Sequence, residues 1–552
     1  MSSVSHVHIV CRRLRLYSRV TRWHMSLSRW NNPPVRAGKW GWLALMLAGS
    51  VVAAPLVDQA TIQSSVQPSS QSSAQSPAQS PLQSSLQVAV EQDQLNTVKQ
   101  LLKQGAKADV ADRYNVTPAY IAALHGNAGM LAVLLAHGAD PNGTAPSGET
   151  LLMTAARAGI VESMKALIAA GAKVDARESQ FKQTALMLAA RGNNPEAITL
   201  LLDNGADINA RTRVGDTPKF TPPCKGTGCG SEGVGINRGG LPDRGRRDAA
   251  KGGMTALLYA AREGLDAAAA VLIKRGADLE LRDANGMTPL LMALLNDQLG
   301  VANLLLDAKA NVNADDFWGR TPLWAAIEYR NLDMNNRAED SPTTNNIDRD
   351  AILPTIKRLL EVGANVNART REVPPPRKWL YSLNDVSWVD FTGQTPFLRA
   401  AFSGDTTVMK LLLEHGADPN LPTQAGTTPL MAASGVGWVV AQTYTESMPS
   451  LLEAIRICLA HGADVNAVNS MGLTALLGAA NKGGDDIIKL LVANGAKLDA
   501  VDAHGRDAYR WAGGVFLAAV GAELKPHTIT LLDELNHRPP SRPPSAETPV
   551  TK

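Results

Sequence analysis

Aromatic residues occupy only 5% of the 552 positions, a supply that suits many small helices in close contact better than one broad β-sandwich core. The apolar run from Trp40 to Ala54 covers about 22 Å as a helix, short of a hydrocarbon core of roughly 30 Å, which disfavours a permanent span. Between Cys229 and Cys458 the one His or Cys is His415, so a metal site there lacks clustered ligands. The glycines of GSEGVGINRGG are followed by no Gly-Lys-Ser or Gly-Lys-Thr, and their spacing matches no phosphate-loop fingerprint. A nucleophile elbow and a c-type haem attachment motif are also missing. No cofactor, catalytic residue or metal ligand is expected.

Acidic residues are absent from residues 1–54, which hold 8 Lys and Arg; the remainder carries 46 basic against 51 acidic residues. A mildly acidic body lacks the surface that displaces counterions from a phosphate backbone, so nucleic acid is not an expected partner. Arg36 and Lys39 upstream of the apolar run, with small residues after it, have the pattern of a secretory signal. Residues 1–54 therefore read as a signal peptide or N-terminal anchor, with translation starting at Met1 or Met25. The expected location is exported, periplasmic or secreted, the alternative being membrane anchoring through residues 40–54. Residues 55–87 carry Gln at every fourth position among Ser and Pro. They read as a disordered linker, because Pro68, Pro77 and Pro81 and the many serines oppose a helix. A Pro-rich stretch, 536–552, reads as a disordered tail.

The body between them repeats. Gly-Ala followed by Asp, Asn or Lys recurs in copies such as KQGAKAD, AHGADPN, DNGADIN and ANGAKLD, and LLLEHGADPN at 411–420 is one of them. The slot of His415 elsewhere holds Gln, Ala, Asn, Arg or Val, so the Glu414, His415 and Asp418 cluster belongs to the skeleton and not to a metal or proton site. A second phrase, Thr-Pro-Leu-x-x-Ala and its variants, begins at Thr117, Thr150, Thr184, Thr255, Thr288, Thr321, Thr395, Thr428, Thr474 and Asp507, and five of its intervals are 33 residues. Thr caps a first helix and Pro takes its first position; a run such as TVMKLLLEHG forms a second helix that Gly ends.

These phrases and the 33-residue period resemble the ankyrin-repeat family over residues 88–535. The resemblance implies an all-α solenoid of about 10–11 helix pairs with hairpin fingers, opened and closed by terminal units. It also implies binding of a protein partner on the concave side, through finger residues before Thr-Pro and the ends of first helices. The family's usual His after Thr-Pro-Leu is replaced here by Tyr120, Met153, Met187, Leu258, Leu291, Trp324, Leu398, Met431 or Leu477, so packing is expected where the family has a polar bond.

Excess spacing locates four inserted loops: one in a finger at 219–253, one between helices after Thr321, one in the finger around 371–390, and one between helices near 435–447. Three of them fall within residues 330–450, and most aromatics outside the leader lie between Phe317 and Tyr444. Aromatics and Arg are favoured at binding hot spots. The expected partner-binding set near repeats 6–9 is therefore Phe317, Trp318, Arg320, Glu328, Tyr329, Phe391, Gln394 and Phe402, with Trp379, Trp388 and Trp438 and also Tyr381 and Tyr444 from the insertions. The competing reading is that these rings anchor the insertions onto the stack. Cys224 and Cys229 flank KGTG and are read as a disulfide, with a metal site or free thiols as alternatives.

The expected function is a non-catalytic protein-interaction module, acting as a monomer. Two alternatives stand beside it: an enzyme with a site built from the inserted loops, using Glu328, Asp385 or Asp390, or an envelope-tethered structural protein.

Overall fold

The Thr-Pro phrase starts a helix in every copy. In the computed structural model, which describes residues 81–145, 147–215, 250–331, 349–372, 389–438, 447–515 and 523–537 and the backbone of 220–221 and 246–247, the hydroxyls of Thr117, Thr150, Thr184, Thr255, Thr288, Thr321, Thr395, Thr428 and Thr474 each accept the N–H three residues on at 3.1–3.4 Å. Asp507 does the same for the N–H of Arg510 at 2.9 Å. In two copies the Met that replaces the family's His also takes a polar role. Its sulfur accepts the cap N–H, from Thr150 to Met153 at 3.4 Å and from Thr428 to Met431 at 3.5 Å. Packing alone is therefore not the whole substitute there.

The second helix stops at the Gly of Gly-Ala, which at Gly416 has φ of 83°. His415 occupies the C-cap, its Nδ1 2.8 Å from the carbonyl of Leu411, and His137 and His461 make the same contact one turn back. That geometry accounts for the histidines as parts of the helix end.

Eleven pairs follow among the described residues, all within the unit spanning Gln75–Lys552. Pair one is Pro81–Glu91 with Leu95–Lys103, pair two Pro118–His125 with Ala128–Ala136, pair three Leu151–Ala158 with Val161–Ala169, and pair four Ala185–Arg191 with Pro195–Asp203. Pair five is Ala256–Glu263 with Asp266–Lys274, pair six Pro289–Leu295 with Leu299–Asp307, and pair seven Pro322–Arg330 with Leu353–Glu361. Pair eight is Pro396–Ser403 with Thr406–Glu414, pair nine Pro429–Ser434 with Met448–Ala460, pair ten Ala475–Lys482 with Asp485–Ala493, and pair eleven Ala508–Ala512 with Pro526–Leu535.

Each first helix packs on the first helices of the pairs before and after it. Most of their Ala and Leu positions are buried, so one continuous apolar core runs along the stack, with each pair covering what its neighbour would expose. The alanine after the terminating Gly is buried at Ala139, Ala172, Ala277, Ala364, Ala417 and Ala496, where a larger side chain would hold the next unit away.

Two polar ladders run beside the core. The residue four places after the Gly reaches the following turn: Asn142 donates to the carbonyl of Gly171 and accepts from the N–H of Lys173, and Asn466 does the same with Gly495 and Lys497. Where Asp stands in that place, as at Asp109 and Asp175, only the accepting half is made, to Asp140 and Asp207. The fingers are joined by single backbone bonds, including Arg213 N–H to Phe181, Ala284 N–H to Gly252, Phe317 N–H to Asn285 and Gln424 N–H to Thr392.

Two boundaries differ from the sequence expectation. The first helix begins at Pro81, inside the stretch read as linker. Here Gln83 and Gln87, four apart, bond the carbonyls of Lys107 and Val116 at 2.9 Å, while Leu86 is buried. Pro81 sits at the start of this helix, where its missing N–H costs nothing, and no proline follows it. The first insertion also begins and ends earlier. Thr212 N–H bonds Met254 O at 2.9 Å and Gly215 N–H bonds Lys251 O at 2.8 Å, so the paired arms of the finger reach 215 and 251. A two-residue antiparallel pair, Phe220–Thr221 with Arg246–Arg247, continues that hairpin within an otherwise helical fold. Residues 332–348, 373–388 and 439–446 of the other three insertions, the leader, the rest of the linker and the tail from 538 lie outside the described residues, as do Cys224 and Cys229.

Candidate partner-binding groove

Nine of the expected contact residues can be placed, and they do not share a surface. Phe317 is 40% exposed, whereas Trp318, Phe391, Gln394 and Phe402 are each buried to within 2%. Phe391 meets Phe402 edge-on with centroids 5.1 Å apart, and Arg320 is held by Asp316 at 2.6 Å while stacking over Trp318. Glu328 is buried in an ion pair with Arg399, whose guanidinium also reaches the Ser403 hydroxyl at 2.7 Å and the Asn331 carbonyl at 2.6 Å. Beside it Arg330 pairs with Asp405 at 2.8 Å. Burial thus withdraws Trp318, Glu328, Phe391, Gln394 and Phe402 as contact residues: they close the interior between pairs seven and eight. Trp379, Tyr381, Trp388 and Tyr444 lie outside the described residues, and Trp438 is half-buried beside Lys482.

The open space lies earlier in the stack. A groove of about 1120 Å³ runs between the fingers and the ends of first helices over pairs four to seven. Its apolar lining is Phe181, Met254, Tyr259, Met287, Met292 and Leu295, with Tyr329 at the far end. Met is a flexible, polarizable liner that suits a surface meant to fit another chain. Arg213 and Lys251, both exposed, stand at the rim on the elongated finger. Of the residues expected from sequence, Arg320 and Tyr329 line this groove.

Arg262 on the wall of this groove is one of a row of cations. Arg157, Arg191 and Arg262 occupy equivalent places near the ends of three successive first helices, pairs three to five, and the first two line an adjoining pocket beside Glu149 and Glu178. Arg191 and Arg262 both lie over the ring of Tyr259, at 5.3 and 5.0 Å, and share the carboxylate of Glu263 at 3.4 and 2.6 Å. Tyr259 is fixed in turn by Gln183, whose Nε2 donates to its hydroxyl at 2.9 Å. Asp283 holds its finger turn by accepting from the N–H groups of Asn285 and Met287, and its burial raises its pKa above the ordinary carboxylate value against those bonds. Among the described residues no group of three His, Cys, Asp and Glu is placed to hold a metal ion, and no helix is long and apolar enough to cross a membrane.

The groove residues occupy the same finger and helix-end places that the family resemblance marks, but in earlier repeats. Phe181, an exposed aromatic just ahead of Thr184, was the available signal. The crowd of aromatics after Phe317 outweighed it, and composition cannot distinguish a ring facing solvent from one sealed under a neighbour.

Comparison with known proteins agrees with this architecture. The family model described as "Ankyrin repeats (3 copies)" matches residues 73–145, 142–212, 240–316, 257–336 and 353–441, and the single "Ankyrin repeat" model matches 471–503. No curated protein matches the sequence significantly. Among solved structures, the ankyrin repeat domain of Bcl-3, titled a unique member of the IkappaB protein family, is 21% identical with a TM-score of 0.35 over 44% of this chain and 92% of that one. The human ASB11 ankyrin repeat domain is 20% identical with a TM-score of 0.35 over 54% of this chain and 100% of that one. With family models matching more than half of its length, in register with the capped helix pairs, the chain belongs to the ankyrin-repeat family.

Proposed function

We propose that the chain is a non-catalytic, exported binding module that holds a segment of a protein partner in the groove over pairs four to seven. Ankyrin repeats are generally protein–protein interaction modules, and their stacked units present extended surfaces. The observation that carries the placement is the groove itself: a methionine- and tyrosine-lined floor, open beside Phe181 and bordered by the exposed cations Arg213 and Lys251. The chemistry favours a segment that offers apolar side chains to pairs five to seven and carboxylates to the rim. Of the carboxylates named for a catalytic alternative, Glu328 is ion-paired with Arg399 and Asp390 caps a turn at Thr392, while Asp385 lies outside the described residues.

A photo-crosslinking amino acid placed at position 181 should trap the partner, and one placed at 317 should not. The triple variant Phe181→Ala, Arg213→Glu, Lys251→Glu should lose capture while its helical signal stays that of the parent, because two of these side chains are exposed cations and Phe181 is 54% exposed. Crosslinks at 317 with none at 181 would move the site to the later repeats. Export is supported by the charge and apolar pattern of residues 36–54. N-terminal sequencing of the mature protein should begin near Ala54 or Pro55; an intact leader would point to anchoring.

A further inference from the structure

We propose that Lys482 and Trp438 form a receptor for a carboxylate carried by an acidic peptide segment, at pairs nine and ten and separate from the groove over pairs four to seven. The arrangement is encoded by two glycines. Gly478 stands in the first-helix slot that holds Leu188 in pair four and Tyr259 in pair five. A Cβ at Gly478 would lie 2.6 Å from both the backbone N and a methyl of Val436, and one at Gly435, where φ is 113°, would lie 2.8 Å from the carbonyl of Gly478. Glycine against glycine lets the turn after Pro429–Ser434 lie flat on helix Ala475–Lys482. That turn carries Trp438 over the lysine, with Nζ 5.3 Å from the ring centroid.

Lys482 ends its helix, where the backbone dipole favours a cation. It lacks an anion. Around it, Asp485 is engaged by His527 at 2.8 Å and by the hydroxyl of Thr528 at 2.7 Å, Glu523 is paired with Lys525, and Asp486 lies 3.8 Å from Lys489. The nearest of these groups, Lys525 and His527, come up against Gly483 and add no negative charge. Among the described residues no carboxylate pairs with Lys482. A partly buried ammonium in this position is under-compensated, because the face of one indole offsets only part of its lost hydration. Burial accordingly lowers the pKa of the amine to about 8. A carboxylate brought from outside supplies the missing charge. Binding favours the charged amine, so it draws the pKa upward and is strongest below about pH 8, weakening as the pH rises above that value.

Trace acetylation of the full chain across pH, read by peptide mass spectrometry and normalised to the exposed Lys410 and Lys489, gives the titration midpoint of Lys482. The free protein should show a midpoint well below those of the two reference lysines. Adding N-acetyl-Leu-Glu-Leu-amide at millimolar concentration should raise it by about one unit, equivalent to a tenfold preference for the charged amine; the Leu-Gln-Leu analogue should leave it in place. Trp438→Ala should remove the response and Trp438→Phe retain most of it. An ordinary midpoint in the free protein that falls in Glu446→Gln would identify the chain's own Glu446 as the counter-ion and overturn the proposal. An equal response to both peptides would overturn it too. Neither result bears on crosslinking at position 181.

Discussion

The guanidinium of Arg330 lies 2.8 Å from the carboxylate of Asp405, 75 residues away in sequence, and both side chains are buried where the first helix of pair seven meets pair eight. Burial works against the charge of Arg330, but Asp405 and Asp350 more than offset it and hold the group's pKa above its ordinary value. Asn331 donates to the same carboxylate and accepts from Arg349, the first described residue after the inserted segment between the two helices of pair seven. Together with Glu328 and Arg399, this network joins two repeats across an insertion in place of an apolar seam.

Such a network resists loss of one member more than loss of both. Arg399→Met leaves Glu328 buried without its counter-ion and is expected to cost about 3–5 kcal/mol, whereas Glu328→Leu with Arg399→Met should cost far less. Denaturant midpoints of the two variants, with hydrogen exchange to locate the loss at pairs seven and eight, check this. Equal costs would mean that the pair contributes little specific coupling.

The side-chain ladder makes a separate prediction. Asn142→Ala removes two bonds to the next turn, and Asn466→Ala does the same further along the stack. Each should lose roughly 1 kcal/mol, because exposed bonds exchange readily with water. Faster amide exchange should appear on both sides of the altered turn and leave the distant repeats unchanged.

Acidification should loosen the C-terminal units first through Asp502. Burial alone would raise its pKa, but the N–H groups of Arg506 and His504 and the Arg506 guanidinium hold it below the ordinary 3.8. A depressed folded value means that the contribution is complete above about 3.8 and is lost as the pH falls through the folded pKa. Asp502→Ala should therefore destabilise pair eleven at pH 7 and do so progressively less as the pH falls below 3.8, measured by exchange of the amides of residues 508–512.

Cys458 is fully buried, and that burial pushes its thiol up to about 12. A thiolate-dependent reagent at pH 8 should leave the Cys458 peptide unlabelled in the native chain and label it after unfolding. Rapid native labelling would mean that pair nine opens readily.

Sequence alone determined the repeat. Thr at a fixed interval, Pro after it, and Gly-Ala one helix later are local instructions, since a cap, a φ restriction and a left-handed stop each act within a few residues; the ten caps stand where the phrases put them. The positions of the insertions followed from departures in the same spacing. Tertiary structure decided which side chains are left for a partner. Trp318, Phe391 and Phe402 look like hot-spot residues by type, yet they are sealed by neighbours whose contacts depend on how pairs seven and eight stack. Phe181 and Tyr259 meet in one groove only because four successive units bring their fingers and helix ends together. Gln83 and Gln87 belong to a polar repeat that reads as linker until the carbonyls of Lys107 and Val116 come within reach. Local signals fix where a chain turns; the exposure of a side chain is fixed by what the rest of the chain lays over it.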